Sequence, residues 1–224
     1  MATGNYPDRD NIDRPADPQP SAVGKERNEN LIVVYLWISV IYYYIYCAER
    51  SYNEVMALFW AIMAILWGWD ALSGYTTFER TRKYDWLAYF LFAMPFIYPL
   101  ISMARGLTFP EITSPVMPCS VVVFTIGLLL FFSKNINMFI VLFLTHWSLI
   151  GLSKTYYFNI PEDFLLASAS VPALYLFFKE YFANNLHTGS KPNAKYVNLL
   201  LILVCVAIGI LLTTTMFIEL LKDK

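Results

Sequence analysis

The chain has 224 residues, of which 58% are hydrophobic and 15% are charged, and its mean hydropathy is +0.49. Soluble domains carry about 25% charged residues, so a soluble fold does not account for this composition. The formal net charge of −1 gives no support for a nucleic-acid partner. The apolar residues form long blocks, which indicates a protein that has lipid as its solvent.

The N-terminal residues 1–30 contain four prolines and many charged residues, and they predict a disordered polar tail. A single transmembrane helical domain is expected to follow over residues 31–220. The tail lacks the basic head and apolar run of a signal peptide, so we expect the helices themselves to direct insertion. The three cysteines, at positions 47, 119 and 205, have neither a disulfide framework nor zinc-ligand spacing. We therefore expect no metal and no cofactor.

Seven apolar blocks are long enough, or nearly long enough, to cross a bilayer, since a helical span needs about 17–25 residues. They cover residues 31–47, 55–75, 86–104, 118–133, 137–152, 164–182 and 196–218. The fold predicted is an all-α, polytopic membrane helix bundle of about seven transmembrane helices. The fourth and fifth blocks are short and are joined by the polar turn Lys134-Asn135-Ile136. Two alternatives stay open, namely six spans, or five spans plus a re-entrant hairpin.

Lysine and arginine are divided unequally between the two predicted sides of the membrane. Eleven lie in the tail and in the loops on its side, and five lie on the other side. Because positively charged loops stay in the cytoplasm, the N-terminus is predicted inside and the C-terminus outside.

Small residues recur in the second block at alternating steps of four and three. Such a stripe predicts close packing against another helix, because small side chains let two helices approach in lipid. The stripe consists of Ala57, Ala61, Ala64, Gly68 and Ala71. Three prolines within the third and sixth blocks predict kinks, because each removes a backbone donor and clashes with the preceding turn. They are Pro95, Pro99 and Pro172.

Two ionisable residues, Asp70 and His146, lie clearly within predicted spans, where their cost in lipid makes them functional candidates. Their predicted depths are similar, so a hydrogen-bonded pair facing the bundle interior is one interpretation. The simpler alternatives are local. In these, Asp70 reaches the interface or pairs with Arg80, and His146 bonds a carbonyl or a hydroxyl such as that of Thr125.

A second group of candidates gathers on the predicted outer side. Cys119 begins the fourth block, where a helix N-terminus makes a thiol more reactive, although no sequence neighbour supplies a general base. The acids after Pro161 are equally explained by helix capping. The chain contains no phosphate loop, zinc-protease motif or nucleophile elbow. The candidate cluster consists of Arg105, Glu111, Cys119, Lys154, Glu162 and Asp163.

Four segments carry a likeness to known sequences: Pro118-Cys119, FTIGLLL at 124–130, WSLIG at 147–151 and IPED at 160–163. With them the chain resembles an uncharacterised bacterial multi-pass membrane protein family, the domain of unknown function 6064, from about residue 35 to residue 182. Ser120 and Leu152 depart from the proline and glycine of that pattern. The resemblance implies a bacterial inner-membrane protein and supplies no activity.

Three kinds of function fit these observations. The first is a non-enzymatic membrane protein that binds or passes a small solute or lipid through an inter-helix cavity. The second is a structural or accessory subunit of a larger membrane complex. The third is a membrane-embedded enzyme that uses Asp70, His146 or the outer acids. The expected partners are the lipid bilayer and either a second copy of the chain or another membrane protein, with no nucleic acid.

Overall fold

The computed structural model describes residues 22–47, 53–80, 82–108, 112, 114–157 and 163–187, and the single positions 199, 203, 207, 214 and 218. In chain order the elements are α1 (Ala22–Trp37), a π-helix (Ile38–Tyr46), α2 (Asn53–Ser73), β1 (Thr77–Phe78), α3 (Asp85–Ala104), α4 (Pro118–Phe132), β2 (Ser133–Asn135), α5 (Met138–Tyr157), α6 (Asp163–Ser168) and α7 (Ser170–His187). The chain is mostly helical, as predicted. α1 begins at Ala22, within the segment that the sequence assigns to the polar tail.

Four helical stretches are long and apolar enough to cross a membrane: Asn28–Tyr46, Asn53–Ser73, Asp85–Ala104 and Met138–Thr155. α4 is also apolar but has 15 residues. The prediction of seven transmembrane helices is therefore not supported by the described part of the chain. The sixth predicted block is divided between α6 and α7, and nearly all of the seventh lies outside the described residues.

The sixth predicted block is interrupted at Ala169 and not at its proline. The Ala169 N–H donates to the Leu166 carbonyl at 3.0 Å, which closes the last turn of α6. Pro172 lies in the first turn of α7, where its missing N–H removes no intrahelical hydrogen bond. Pro95 and Pro99 lie inside α3, which continues through both. Proline positions thus did not predict where this segment breaks.

Two short strands form an antiparallel ribbon at one end of the bundle, called the ribbon end below. The paired residues are Thr77 with Asn135 and Phe78 with Ser133. The Lys134 ammonium lies 3.1 Å from the Glu79 carboxylate, across the same pair of connections. Because the ribbon joins the α2–α3 connection to the α4–α5 connection, α2 and α4 end here and α3 and α5 begin here. The opposite end is where α2 and α4 begin.

Aromatic side chains fill the centre of the bundle. Trp60, Trp147 and Tyr35 are fully buried, and the Trp60 ring lies 5.0 Å from each of the other two rings. Phe59 packs on Trp147 at 5.4 Å. The Tyr35 hydroxyl donates to Thr125 Oγ1 at 3.1 Å, which links α1 to α4. Tilted and edge-on ring pairs of this kind add to the stabilisation that comes from burial.

Two of the described glycines, both outside the small-residue stripe, lie against a neighbouring helix with no space for a side chain. A Cβ at Gly127 would lie 3.0 Å from Leu91 Cβ, and a Cβ at Gly151 would lie 2.9 Å from the Asp163 carbonyl oxygen. In the stripe, Ala64 is buried, but no atom lies within 4 Å of a Cβ built on Gly68. The predicted stripe is therefore packed along part of its length.

Many large apolar side chains remain on the outside of the apolar helices. Leu72 and Trp86 are each 90% exposed, and Ile65 is 69% exposed. Monomeric soluble proteins rarely expose contiguous apolar surface on this scale. The surface suits an environment that is itself apolar.

Candidate functional site

Asp70 is fully buried in the last turn of α2, at the ribbon end. Asn28 Nδ2 in α1 donates to Asp70 Oδ2 at 3.5 Å, and the side chains of Thr76 and Asn137 also donate to the carboxylate. The Asn137 backbone N–H in turn donates to Thr76 Oγ1 at 3.2 Å. One carboxylate therefore holds α1, the end of α2 and the start of α5 together.

A second buried acid contacts the connection between α4 and α5. Glu180 in α7 is 2% exposed, and its carboxylate accepts a hydrogen bond from the Ile136 backbone N–H. Ile136 directly precedes Asn137, so this short segment lies between the two acids. The ribbon-end cluster is Asn28, Asp70, Thr76, Asn137 and Glu180.

The side chains of the ribbon-end cluster fit a structural role, in which hydrogen bonds link helices and connections. The partners found for both carboxylates are N–H or O–H donors. Among the described residues, Asp70 Oδ1 and Asn28 Oδ1 are buried without a hydrogen-bond partner. A metal ion would require several acceptor oxygens or other ligands. Within the described residues no group of three histidine, cysteine or acidic side chains could hold a metal.

The sequence identified Asp70 but missed its partners. Arg80, considered as a partner for Asp70, instead lies 2.9 Å from Asp85 and stacks over the Phe131 ring. Asn28 was assigned to the tail. Glu180 follows Lys179 in the sequence, and a charged pair of this kind is typical of a solvent-exposed position. Asn137 carried a usable signal, because it follows a polar turn and caps α5 through its Oδ1 atom, which accepts from the Phe139 N–H at 3.1 Å.

His146 has a different environment from Asp70. It is half-buried in α5, and its Nδ1 donates to the Leu142 carbonyl at 2.8 Å, one turn earlier in the same helix. Its ring lies beside that of Phe143. Of the two local partners considered for His146, the structure shows the backbone carbonyl. The Thr125 hydroxyl instead bonds Tyr35. Because Asp70 and His146 have separate partners, their action as one site stays a prediction.

At the opposite end, three of the predicted outer residues lie together. Lys154 Nζ is 3.9 Å from Cys119 Sγ and lies 5.3 Å from the centre of the Trp147 ring. Asp163, which is 5% exposed, hydrogen bonds with the Cys119 side chain. The close approach of α6 to α5 at Gly151 places Asp163 there. These three side chains supply a thiol, an amine and a carboxylate, which the sequence did not show to be neighbours.

The other members of that predicted cluster are Arg105, Glu111 and Glu162. Arg105 is an exposed residue directly after α3. Glu111 and Glu162 lie outside the described residues. Of the six predicted members, the contacts of the described residues bring Cys119, Lys154 and Asp163 together, and the membership of the other three stays a prediction.

An open groove of about 480 Å³ lies on the flank of the bundle, between the π-helix and the first half of α2. It is called the π-helix groove below. Its apolar wall is formed mainly by alanine, valine and leucine, and three polar side chains lie along it. The lining residues are Ser39, Val40, Tyr44, Glu54, Ala57, Leu58 and Ala61.

Local backbone structure forms this groove. π-helices are rare and often accompany functional sites, and this one has nine residues. The Ser39 hydroxyl donates to the Ala57 carbonyl at 2.7 Å, which fixes the π-helix against α2. Beyond that contact, the small side chain of Ala61 leaves the wall concave. The sequence indicated the alanines as a packing stripe but gave no sign of the π-helix.

The fold and these sites define a helical protein with several helices compatible with a membrane. Residues 19–188 match the family of unknown function DUF6064, and the chain belongs to this family. No curated protein and no solved structure matches the chain.

Proposed function

We propose that this chain is a non-enzymatic integral membrane protein that binds a membrane lipid in the π-helix groove. The observation that carries the proposal is the groove itself, which opens on the flank of the bundle between two apolar helical stretches. A lipid diffusing in the bilayer reaches such a site directly from the side. The large exposed apolar side chains support placement of the same helices in lipid.

The lining of the groove matches an amphipathic ligand. Val40, Leu58 and Ala61 offer apolar surface to an acyl chain, and each buried CH₂ group contributes about 0.8 kcal/mol. Tyr44 and Glu54 supply polar atoms for a headgroup. Glu54 lies in the first turn of α2, at the end of the bundle where a headgroup layer would be.

We further propose that the membrane is the bacterial inner membrane and that the ribbon end faces the cytoplasm. The support is the excess of lysine and arginine in the N-terminal tail and in the connections on that side. With this orientation, the polar end of the π-helix groove lies near the outer surface.

Photo-crosslinking from inside the groove tests lipid binding. A photoreactive amino acid replaces Leu58, which is 54% exposed and lines the groove, and the matched control replaces Ile65, which is 69% exposed on α2 outside it. After exchange into detergent, we expect lipid adducts from position 58 and few from position 65. Equal lipid yields at the two positions, or adducts to protein at position 58, would contradict the proposal.

Filling the groove provides an independent test. We expect Ala61→Trp to reduce the lipid that co-purifies with the protein, measured by native mass spectrometry, because the indole occupies the volume of the ligand. Ile65→Trp adds the same ring to an exposed position and should leave bound lipid unchanged. Retention of lipid by a folded Ala61→Trp protein would overturn the assignment of the site.

A second candidate function is a membrane-embedded enzyme, favoured by the contact between Lys154 Nζ and Cys119 Sγ. A thiol with a neighbouring amine and carboxylate is a chemically competent arrangement once the thiol loses its proton. Iodoacetamide labelling of the folded protein separates the two functions. Rapid alkylation of Cys119 that Lys154→Met slows would favour the enzyme, and a Cys119 as inert as a buried thiol would exclude Cys119 as its nucleophile.

A further inference from the structure

We infer that the π-helix groove selects phospholipids that carry a primary ammonium headgroup, as in phosphatidylethanolamine. This inference rests on the proposed lipid-binding function and adds the chemical class of the ligand. Its basis is the charge and hydrogen-bonding capacity of the polar side chains at the groove, Ser39, Tyr44 and Glu54.

Glu54 supplies the negative charge. It is exposed in the first turn of α2, and among the described residues no hydrogen bond or ion pair engages its carboxylate. Among the described residues that line the groove, none is lysine or arginine. An anionic headgroup would meet a like charge at Glu54, whereas a cationic group pairs with its carboxylate.

The neighbouring hydroxyls distinguish kinds of cation. A primary ammonium has three N–H donors and needs three acceptors. The Glu54 carboxylate and the Tyr44 hydroxyl each accept hydrogen bonds. Ser39 Oγ uses its proton in the bond to the Ala57 carbonyl, which leaves its lone pairs as acceptors. A quaternary choline group has no N–H donor and uses none of these acceptors.

Competition among lipids tests the inference. Full-length protein is equilibrated with equal amounts of dioleoyl phosphatidylethanolamine, its N-methyl and N,N-dimethyl derivatives, phosphatidylcholine and phosphatidylglycerol, and bound lipid is counted by native mass spectrometry. We expect retention to fall stepwise as each methyl group removes an N–H donor, with phosphatidylglycerol retained least. Equal retention of the ethanolamine and choline lipids, or preference for phosphatidylglycerol, overturns the inference.

Glu54→Gln removes the charge but keeps the size of the side chain. We expect the preference for phosphatidylethanolamine over phosphatidylglycerol to fall by about fivefold, as for loss of an exposed ion pair, while total bound lipid stays similar. Glu79→Gln, at the ribbon end and away from the groove, is the matched control and should keep the preference.

The two proposals fail in different ways. If Ala61→Trp reduces bound lipid but Glu54→Gln leaves headgroup preference unchanged, the groove binds lipid and the headgroup inference is wrong. If Ala61→Trp changes nothing, the lipid site itself is elsewhere and both are wrong.

Discussion

Gly151 and Gly68 are both helical glycines, but their surroundings are opposite. The space for a side chain at Gly151 is already occupied by the backbone at the start of α6, whereas Gly68 faces open space. The spacing of small residues in a sequence does not distinguish the two cases, because it contains no information about the neighbouring helix.

Substitution with alanine should therefore have opposite effects at these two positions. Gly151→Ala forces α6 away from α5, and overpacking of this kind typically costs about 1–3 kcal/mol. Gly68→Ala adds a methyl group without contact and gains helix propensity worth up to about 1 kcal/mol. Thermal unfolding in detergent measures both. Equal melting temperatures for the two variants would show that the α5–α6 contact is not as close as described.

A double-mutant cycle tests whether Asp70 and His146 act together. Residues that have separate partners contribute independently to the free energy of unfolding. We expect the effects of Asp70→Asn and His146→Gln on the free energy of unfolding to add to within about 0.5 kcal/mol. In contrast, Asp70→Asn and Asn137→Ala act on one hydrogen-bonded network and should be non-additive by about 0.5–3 kcal/mol. A larger interaction energy in the Asp70–His146 cycle than in the Asp70–Asn137 cycle would support the shared site that sequence depth indicated.

At the scale of elements, apolar block length predicted α2, α3, α4 and α5 to within a few residues. The same signal failed at Ala169, because residues 164–182 are apolar on both sides of the break and no helix stop signal marks it. It also failed at β1 and β2, which have two and three residues and are too short to show an alternating pattern. Contacts between distant segments form these features.

The ribbon is open to a direct test by cysteine pairing. Thr77 and Asn135 are opposite each other in an antiparallel pair, where Cα atoms lie about 4.5–5.5 Å apart, within disulfide range. In a background without native cysteines, Thr77→Cys with Asn135→Cys should form a disulfide under mild oxidation, detected by mass spectrometry. Glu79→Cys with Asn135→Cys is the control, since Glu79 lies two positions beyond Thr77, whereas Lys134 is the extra residue at the register shift between Thr77 and Phe78. Equal yields from both pairs would contradict the described register.

At the scale of the whole molecule, the sequence identified an apolar helical bundle correctly because composition alone carries that information. Neither candidate site could be assembled in the same way. The ribbon-end cluster draws its members from α1, α2, the ribbon connections and α7. The group of Cys119, Lys154 and Asp163 draws its members from α4, α5 and α6. Charge counts along the chain predict an orientation, which no contact within the protein tests.

Labelling of single cysteines in intact cells tests that orientation. In the background without native cysteines, Glu79→Cys marks the ribbon end, and Val116→Cys, at a residue that is 56% exposed, marks the opposite end. A membrane-impermeant maleimide should label position 116 but not position 79, and cell lysis should expose both. Labelling of position 79 alone would show that the bundle has the reverse orientation.

The contact between Glu180 and Ile136 has a consequence for biogenesis. During synthesis, a nascent chain that ends after α5 already contains the four stretches that, among the described residues, are long and apolar enough to cross a membrane. Until α7 emerges from the ribosome, however, the Ile136 N–H lacks the carboxylate that accepts its hydrogen bond in the finished protein. Insertion of the apolar stretches and formation of the hydrogen bond between Ile136 and Glu180 are therefore separate events. A chain that stalls before α7 would contain these stretches but would lack that hydrogen bond at the ribbon end.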